Sequence, residues 1–562
     1  MTLGPIAARA AATERLADER FDLLVVGGGI TGAGAALDAA ARGMRVALVD
    51  RDDLGAGTSS RSSKLVHGGL RYLRQRELGL VRESLAERRL LLANAPHLVR
   101  PQRFLVPLLG DGGIADRAVA RTYSLALWAY DLAGGRHIGH LHRRVDRDEA
   151  RDLVPALDTD RLVAGLVYDD ARADDARLVL TIARTAQELG AALLTHTGVE
   201  AVLHDPRGRV TGARLSGGLE VRADCVLNAA GVWAAEVDSL DSPGSGPRLR
   251  PARGVHLTFP RSLIPCETAA VVPVAEDGRG LFILPWGDRV YVGTTDTDHD
   301  GPLDEPLCTA ADIAYVVRAL NASLRAPVGA VDVVATWAGL RPLVAGTASA
   351  KTADISRRHT VATTPGGMVT IVGGKLTTYR RMAAEAVDAA SERLGRRSRS
   401  ATRHLELRGA CDPADMAAEL RRRYPALAES AQHLARRHGT DAPAVARLAL
   451  SRPLLAEPLV TGLPYLRAEA VWAVREEMAM TVGDVLDRRT RARLLDRAAT
   501  AAAAPEVGRI LGGELGWDDA RVAREVDAYV AGLRREAEAA GARLPEPSHG
   551  GRSAGAPATV RA

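Results

Sequence analysis

The sequence has no long apolar stretch. No run in its 562 residues approaches the roughly 18 consecutive apolar residues that a membrane-spanning helix needs. The first residues, MTLGPIAARAAATERLADER, contain acids and no continuous apolar core, which argues against a secretory signal. We therefore expect a cytoplasmic protein, or one that lies peripherally on the inner face of the cell membrane.

Cysteine and aromatic residues are also scarce. Aromatic residues make up only 4% of the chain, and no zinc-finger spacing accompanies the net charge of +5, so nucleic acid is not an expected partner. The three histidines between 137 and 142 have no acid or cysteine at ligand spacing, so no metal site is expected. The cysteines are scattered and are expected to be reduced structural thiols: Cys225, Cys266, Cys308 and Cys411.

Lysine is almost absent. Among 74 Lys and Arg residues, the only lysines are Lys64, Lys351 and Lys375. A compact ammonium does chemistry that a planar guanidinium cannot. Because Lys64 and Lys375 also lie inside motifs described below, both are candidates for a functional role.

The length predicts two or three domains. Alternating apolar runs at 254–260 and 281–296 predict an antiparallel sheet inserted into a parallel, nucleotide-binding layer, where a substrate could be held. The predicted organisation is an N-terminal arm (1–20), an α/β nucleotide-binding domain with this interleaved sheet (21–402), a helical domain (403–540) and a Ser/Gly/Pro-rich tail that does not fold (541–562).

A βαβ unit opens the first domain. Phe21 begins an apolar run of strand length, FDLLVV, and a small-residue helix and a second strand ending at Asp50 follow. Between strand and helix lies a GxGxxG fingerprint: Gly27 permits the tight turn, Gly29 the approach of a pyrophosphate, and Gly32 close packing of the helix. Asp50 can accept hydrogen bonds from ribose hydroxyls.

The dinucleotide is predicted to be FAD rather than NAD. No second GxGxxG is present for a separate nicotinamide. The segments NAAGVWA, with Gly231, and VGGKLTTY, with Gly373 and Gly374, place small residues between a strand and a helix, as an extended cofactor requires. Further candidates for the pyrophosphate, which turn formation would equally explain, are Thr58, Ser59, Ser60 and Ser63.

Beyond the fingerprint, the sequence resembles the FAD-dependent glycerol-3-phosphate dehydrogenases. The resemblance lies in GTSSRSSKLVHGGLRYL (57–73), GTTDTD (293–298), WAGLRPL (337–343) and IVGGKLTTYR (371–380), and it extends from about residue 20 to 540. It implies a D-amino-acid-oxidase-like fold of the Rossmann type, noncovalent FAD, glycerol 3-phosphate as substrate and a quinone as electron acceptor.

The implied reaction transfers a hydride from C2 of the substrate, removes the proton of the C2 hydroxyl and holds a dianionic phosphate. Imidazole suits proton abstraction near neutral pH, and guanidinium and ammonium groups suit phosphate. The resemblance places such groups beside the flavin and the substrate: His67, Arg71, Tyr72, His256, Arg341 and Lys375.

We rank His67 ahead of His256 as the base, because the glycines that follow His67 leave room for close approach. His256 lies on an alternating strand and could equally be structural. Arg341 is expected to clamp the phosphate, since the following proline restricts its backbone. Lys375 is expected to serve the phosphate or the reduced flavin.

Three further residues match the family motifs. Lys64 is interpreted as a structural residue or a flavin contact. Asp174 and Asp175 have no role that the sequence assigns.

A basic helical stretch, LDRRTRARLLDRAA (486–499), offers Leu486, Leu494 and Leu495 as an apolar face for anionic lipid, although a solvated face on a packed helix explains it slightly better. Two other functions remain open, an oxygen-using glycerol-3-phosphate oxidase and a catalytically silent flavoprotein. The family oxidases carry a central insertion for which the chain has no obvious room, which favours the dehydrogenase. A homodimer is a candidate assembly.

Overall fold

The computed structural model describes residues 5–69, 77–110, 117–134, 140–274, 279–344 and 358–544. Within these ranges the strands are β1 (Arg20–Val26), β2 (Val46–Val49), β3 (Leu65–Val66), β4 (Arg100–Leu109), β5 (Arg143–Val145), β6 (Leu162–Arg172), β7 (Ala192–Leu194), β8 (Val199–His204), β9 (Val210–Leu215), β10 (Glu220–Asn228), β11 (Ala252–Pro260), β12 (Ala269–Pro273), β13 (Gly280–Trp286), β14 (Arg289–Gly293), β15 (Thr297–Asp298), β16 (Ala335–Arg341), β17 (His359–Thr363) and β18 (Val369–Gly373).

The α-helices of the described residues divide between the two parts of the chain. Those of the first part are α1 (Pro5–Asp18), α2 (Ile30–Ala41), α3 (Leu78–Asn94), α4 (Arg117–Gly134), α5 (Arg147–Leu153), α6 (Asp175–Glu188), α7 (Ala234–Ser239), α8 (Ala310–Asn321) and α9 (Tyr379–Arg393). Those of the second are α10 (Pro413–Arg423), α11 (Ala431–His438), α12 (Ala442–Leu450), α13 (Arg467–Glu477), α14 (Ala492–Leu495), α15 (Arg497–Leu515) and α16 (Asp519–Ala539).

The first sheet forms the nucleotide-binding layer. Its strand order is β17-β18-β10-β1-β2-β7, and the β8–β9 hairpin extends it through β10. β1 pairs in parallel with both β10 and β2. Every residue of β1 after Arg20 is buried, as expected for a parallel strand covered on both faces. The carboxyl ends of β1, β2, β10 and β18 therefore meet at one edge, where the GxGxxG turn begins.

The second sheet is mainly antiparallel and lies across that edge. Its order is β15-β11-β14-β13-β12-β4-β6-β3, with β16 paired to β11 and β5 to β6. The run at 281–296, which predicted alternating strands, contains the β13–β14 hairpin, and 254–260 lies in β11. Strands from both ends of the first domain thus share one sheet.

The helices after residue 400 pack on the first domain through buried ion pairs. A π-helical turn, Asp484–Arg489, presents Arg489 to the carboxylate of Asp53 at 2.6 Å, with both side chains almost fully buried. Arg177 of α6 pairs with Glu477 of α13 at 2.6 Å. A buried charge without its partner destabilises the folded state, so these pairs determine how the helices pack on the nucleotide-binding layer.

The N-terminal arm is helical and contacts the first domain. The arm predicted at 1–20 contains α1, and Arg9 of α1 donates to the carbonyl of Thr195 at 2.7 Å. All four cysteines are free. Among the described residues, no helix combines the length and the apolar character needed to cross a bilayer.

We predict that Asp53→Asn lowers the thermal unfolding midpoint by several degrees, because it leaves Arg488 and Arg489 buried beside a neutral group, a loss of about 3 kcal/mol. Asp224→Asn, which removes an exposed partner of Arg20, is the control and costs less than about 1 kcal/mol. Circular dichroism of the cofactor-loaded protein measures both. Equal midpoints for the two variants would contradict the interface described here.

Candidate active site

A large cavity lies between the two sheets. Its volume is about 1250 Å³, more than the roughly 300–1,000 Å³ of a pocket for a drug-sized ligand. One wall is the carboxyl edge of the first sheet, and the other is formed by β11, β13 and β16. The space suits an extended ligand with a second, smaller molecule beside it.

The fingerprint glycines shape one end of the cavity. Gly27 has φ +107°, and a Cβ there would lie 2.7 Å from the carbonyl oxygen of Ala229. A Cβ on Gly32 would lie 1.8 Å from the carbonyl oxygen of Gly27, so only glycine lets α2 pack on the turn. Gly29 is the N-cap of α2 and lines the cavity, where the helix N-terminus favours a phosphate.

Asp50 lies beside this turn at the end of β2. Its carboxylate accepts hydrogen bonds from the amide of Gly28 at 2.5 Å and from the amide of Asp52 at 2.8 Å. Burial, which disfavours the charged form, raises the pKa of Asp50 to about 6. The carboxylate lines the cavity and is placed to accept from ribose hydroxyls.

Small and hydroxyl residues continue along the cavity, as the sequence predicts. The amide of Ile30 donates to the Ser59 hydroxyl at 2.9 Å, and the hydroxyl of Thr58 donates to the carbonyl of Leu340 at 2.6 Å. Predicted cofactor residues that line the cavity are Gly27, Gly29, Asp50, Thr58, Ser59, Ser63, Gly231, Gly373, Gly374 and Lys375. A glycine-lined slot with an acid at one end fits an extended dinucleotide such as FAD.

Three predicted cofactor residues do not line the cavity. Gly32 acts through packing, and the carbonyl of Ser60 accepts from buried Arg491. Lys64 is buried, with its ammonium 4.5 Å above the ring of Trp337 and 3.4 Å from Asp175. Burial lowers the pKa of Lys64 to about 8. Both contacts favour the structural interpretation of Lys64.

His256 of β11 lies deep in the cavity wall. Its Nε2 is 2.8 Å from the hydroxyl of Ser63, and its ring stacks on Trp337 with centroids 4.6 Å apart. Nδ1 is buried and has no hydrogen-bond partner in the part of the chain that the structure describes. Burial, together with the charges of Lys64 and Arg341, holds its pKa well below 6.5, so the imidazole is neutral near pH 7.

His67 lines the cavity from the segment after β3. Its amide donates to the hydroxyl of Thr377 at 3.1 Å, and its ring meets Phe282 edge-on with centroids 6.4 Å apart. The next amide, of Gly68, donates to Tyr130 at 2.9 Å. Both peptide planes that flank His67 are therefore held by other elements.

Two of the predicted cations, Arg341 and Lys375, line the same cavity. Arg341, at the end of β16, donates to the carboxylate of Asp296 at 3.1 Å and to the hydroxyl of Thr294 at 3.2 Å. Lys375 follows β18 and donates to the hydroxyl of Ser84 at 3.1 Å. Arg71 and Tyr72, also predicted to bind substrate, lie outside the described residues.

The sequence did not assign several residues that shape the site. Asp175 accepts hydrogen bonds from the amide and the hydroxyl of Ser62 at 3.0 and 2.7 Å and one from Arg491 at 2.8 Å. Asp174 caps α6 by accepting from the amide of Arg177. An acid just before a helix predicts an N-cap, so the role of Asp174 could have been predicted from the sequence. No local sequence pattern predicts the role of Asp175. Arg279 also lines the cavity.

One cluster among the described residues has metal-ligand spacing. Ligand atoms of Asp53, His196 and Asp484 lie within 4.8 Å of one another. However, Asp53 accepts from Arg488 and Arg489, and Arg488 also pairs with Asp484. Because guanidinium groups already balance these carboxylates, we interpret the cluster as an ion-pair network.

Comparisons with known proteins agree with this architecture. One family model, FAD dependent oxidoreductase, matches residues 22–380, and another, the C-terminal domain of alpha-glycerophosphate oxidase, matches residues 400–522. Glycerol-3-phosphate dehydrogenase 2 of Mycobacterium tuberculosis is 40% identical over 548 residues, covering 95% of this chain and 91% of that protein. The mitochondrial glycerol-3-phosphate dehydrogenase of Mus musculus is 37% identical, covering 90% of this chain and 72% of that protein.

Solved structures show the same likeness. The glycerol-3-phosphate dehydrogenase from Bacillus halodurans, complexed with FAD, has a TM-score of 0.77 at 29% identity and covers 94% of this chain and 97% of its own. The L-alpha-glycerophosphate oxidase from Mycoplasma pneumoniae has a TM-score of 0.55 at 18% identity, covers 68% of this chain and 96% of its own, and shows the shared fold.

We predict that Asp50→Asn weakens binding of the dinucleotide about tenfold, because hydrogen bonds to a charged carboxylate are worth about 1.5–3 kcal/mol. With a pKa of about 6, Asp50 is ionised above pH 6 and neutral below it. Affinity of the wild type for FAD therefore rises as the pH rises through 6, and affinity of Asp50→Asn does not. Titration of apoprotein with FAD, followed by flavin fluorescence, measures both. The same pH dependence in both proteins would contradict this role.

Proposed function

Because the chain belongs to the FAD-dependent glycerol-3-phosphate dehydrogenases, we propose that sn-glycerol 3-phosphate binds in the described cavity and that the electrons taken from it pass to a quinone. Family membership confirms the predicted fold class, the FAD cofactor and the assignment as a dehydrogenase. The observation that carries the substrate proposal is that histidines and cations from distant parts of the chain line one cavity.

Bound FAD supplies the acceptor for a hydride from C2 of the substrate. The chain's own residues bind and orient the substrate. Arg341 is held in place by Asp296 and Thr294, so it loses little freedom when it binds a phosphate. Lys375 contributes a second positive charge to the same cavity. Both can donate hydrogen bonds to a phosphate.

The base is proposed to be His67. A general base works best when its pKa is near the operating pH, and the pKa of His256 lies well below its usual range. We therefore assign to neutral His256 the orientation of the substrate hydroxyl and to His67 the removal of its proton. Arg71 and Tyr72 remain proposed substrate contacts from the sequence motif.

A quinone acceptor requires contact with the bilayer. α4 exposes Leu125 (70%), Trp128 (52%) and Leu132 (76%), which lie on one helix face because their spacing is three and four residues. Other residues of the same helix, Tyr123 and Ala126, line the cavity. An exposed apolar face beside the site fits a lipid surface, so we propose peripheral binding through α4.

The stretch 486–499, which the sequence offered as a lipid contact beside the slightly favoured solvated face, is not available to lipid. Leu486, Leu494 and Leu495 are buried, with at most 8% exposure. The alternative, a solvated face, is also wrong for its arginines, since Arg489 and Arg491 are buried in ion pairs. Arg488, Arg489 and Arg491 pair with acids of the first domain, and Arg493 and Arg497 pair with Glu536 of the helical domain.

We predict that sn-glycerol 3-phosphate, but not glycerol or lactate, bleaches the bound flavin under argon. His67→Asn slows this reduction by about a hundredfold or more, as expected for loss of a general base, and weakens substrate binding far less. His256→Asn has the smaller effect on the rate. Stopped-flow absorbance measures each rate and affinity. A larger rate effect for His256→Asn would reverse the two roles, and a yellow wild type that is never bleached would favour a silent flavoprotein.

We also predict that a soluble short-chain quinone reoxidises the reduced protein faster than oxygen does.

Changing Leu125, Trp128 and Leu132 together to serine removes cosedimentation with lipid vesicles but preserves flavin reduction. Leu189→Ser with Leu454→Ser, at exposed leucines elsewhere, is the matched control and keeps vesicle binding. Peroxide produced in amounts equal to the substrate, without need for quinone, would instead favour the oxidase.

A further inference from the structure

α4 carries a buried tyrosine on the face opposite its exposed apolar residues. Tyr130 is fully buried, as is nearly all of Asp170 in β6. The hydroxyl of Tyr130 lies 2.8 Å from both carboxylate oxygens of Asp170, and Arg88 of α3 donates to the same carboxylate at 2.7 Å. A buried carboxylate is tolerated when it is paired and hydrogen-bonded in this way.

This cluster reaches the segment that carries His67. The amide of Gly68 donates to the Tyr130 hydroxyl at 2.9 Å and to the Asp170 carboxylate at 3.3 Å. The pKa of Tyr130 lies well above 10 because the residue is buried beside an acid. Its hydroxyl therefore stays protonated, so that it donates to Asp170 and accepts from Gly68.

A second anchor lies on the other side of His67. The hydroxyl of Thr377, between β18 and α9, accepts from the amide of His67 at 3.1 Å. The peptide before His67 and the peptide after it are thus bound to two different elements. These anchors restrict both backbone dihedrals of His67 and hence the position of its ring in the cavity.

We propose that Tyr130, supported by Asp170 and Arg88, is a positioning residue that holds His67 for proton abstraction. This inference rests on the proposed function of His67. The Tyr130 hydroxyl touches neither FAD nor substrate in this account; it acts only through the backbone of Gly68. An error of about 1 Å in the placement of a reacting group can cost about a hundredfold in rate.

Tyr130→Phe tests the proposal, since it removes one hydroxyl and keeps the ring. We expect flavin reduction by glycerol 3-phosphate to slow at least about tenfold, while the dissociation constant of the substrate changes less than about twofold and FAD content is unchanged. Tyr529→Phe is the matched control, because the partly buried Tyr529 also donates to an acid, Asp487, at 2.6 Å but lies outside the cavity lining.

Both variants lose a tyrosine–carboxylate hydrogen bond, so both should lower the unfolding midpoint, and Tyr130→Phe should lower it more because its hydrogen bond is fully buried. Only Tyr130→Phe should slow reduction. Thr377→Val, which removes the other anchor, should give the same separation of rate from binding. In a His67→Asn background, Tyr130→Phe should have almost no further effect on the rate, because the group that it positions is gone.

The outcomes separate this inference from the function on which it rests. A wild type whose flavin is not reduced by glycerol 3-phosphate would overturn the proposed function. A wild type that is reduced, with Tyr130→Phe as fast as Tyr529→Phe, would overturn the positioning role alone. An undiminished effect of Tyr130→Phe in the His67→Asn background would also overturn it.

Discussion

Two buried carboxylates hold the segment 57–69 between the sheets, and the geometry of the cavity depends on them. Asp175 accepts from the amide and hydroxyl of Ser62, and Asp170 accepts from the amide of Gly68. A buried carboxylate requires such donors, because an unpaired charge in the interior is costly. One segment supplies residues at the pyrophosphate end of the cavity and residues near the proposed chemistry, so the same buried charges place both.

The helical domain takes part in this arrangement. Its Arg491 is buried and donates to Asp175 at 2.8 Å, and the ammonium of Lys64 lies 3.4 Å from the same acid. The ammonium of Lys64 lies over Trp337, which stacks on His256. A chain of buried contacts therefore runs from the helical domain to the wall of the active site, which explains why Arg491 faces inward.

Local patterns could be predicted from the sequence, and distant pairings could not. The turn from Gly27 to Gly32 is specified by neighbouring residues, so its strand, helix and acid were predictable. Tyr130 and Asp170 are 40 residues apart, and no hydrophobic periodicity in the sequence predicts such a contact. Leu494 looked like part of a lipid-facing stripe, but an amphipathic pattern alone does not distinguish a lipid surface from another part of the protein. The sequence placed Arg341 and Lys375 near the substrate only through the family resemblance, since no local pattern links residues so far apart.

The most direct test of this account is a crystal structure of the FAD-loaded protein, reduced under argon and soaked with dihydroxyacetone phosphate. We expect the ligand's phosphate to lie within hydrogen-bonding distance of the Arg341 guanidinium or the Lys375 ammonium, and its carbonyl to face His67 and His256. A ligand bound away from these side chains, with both cations directed away from it, would contradict the central claim.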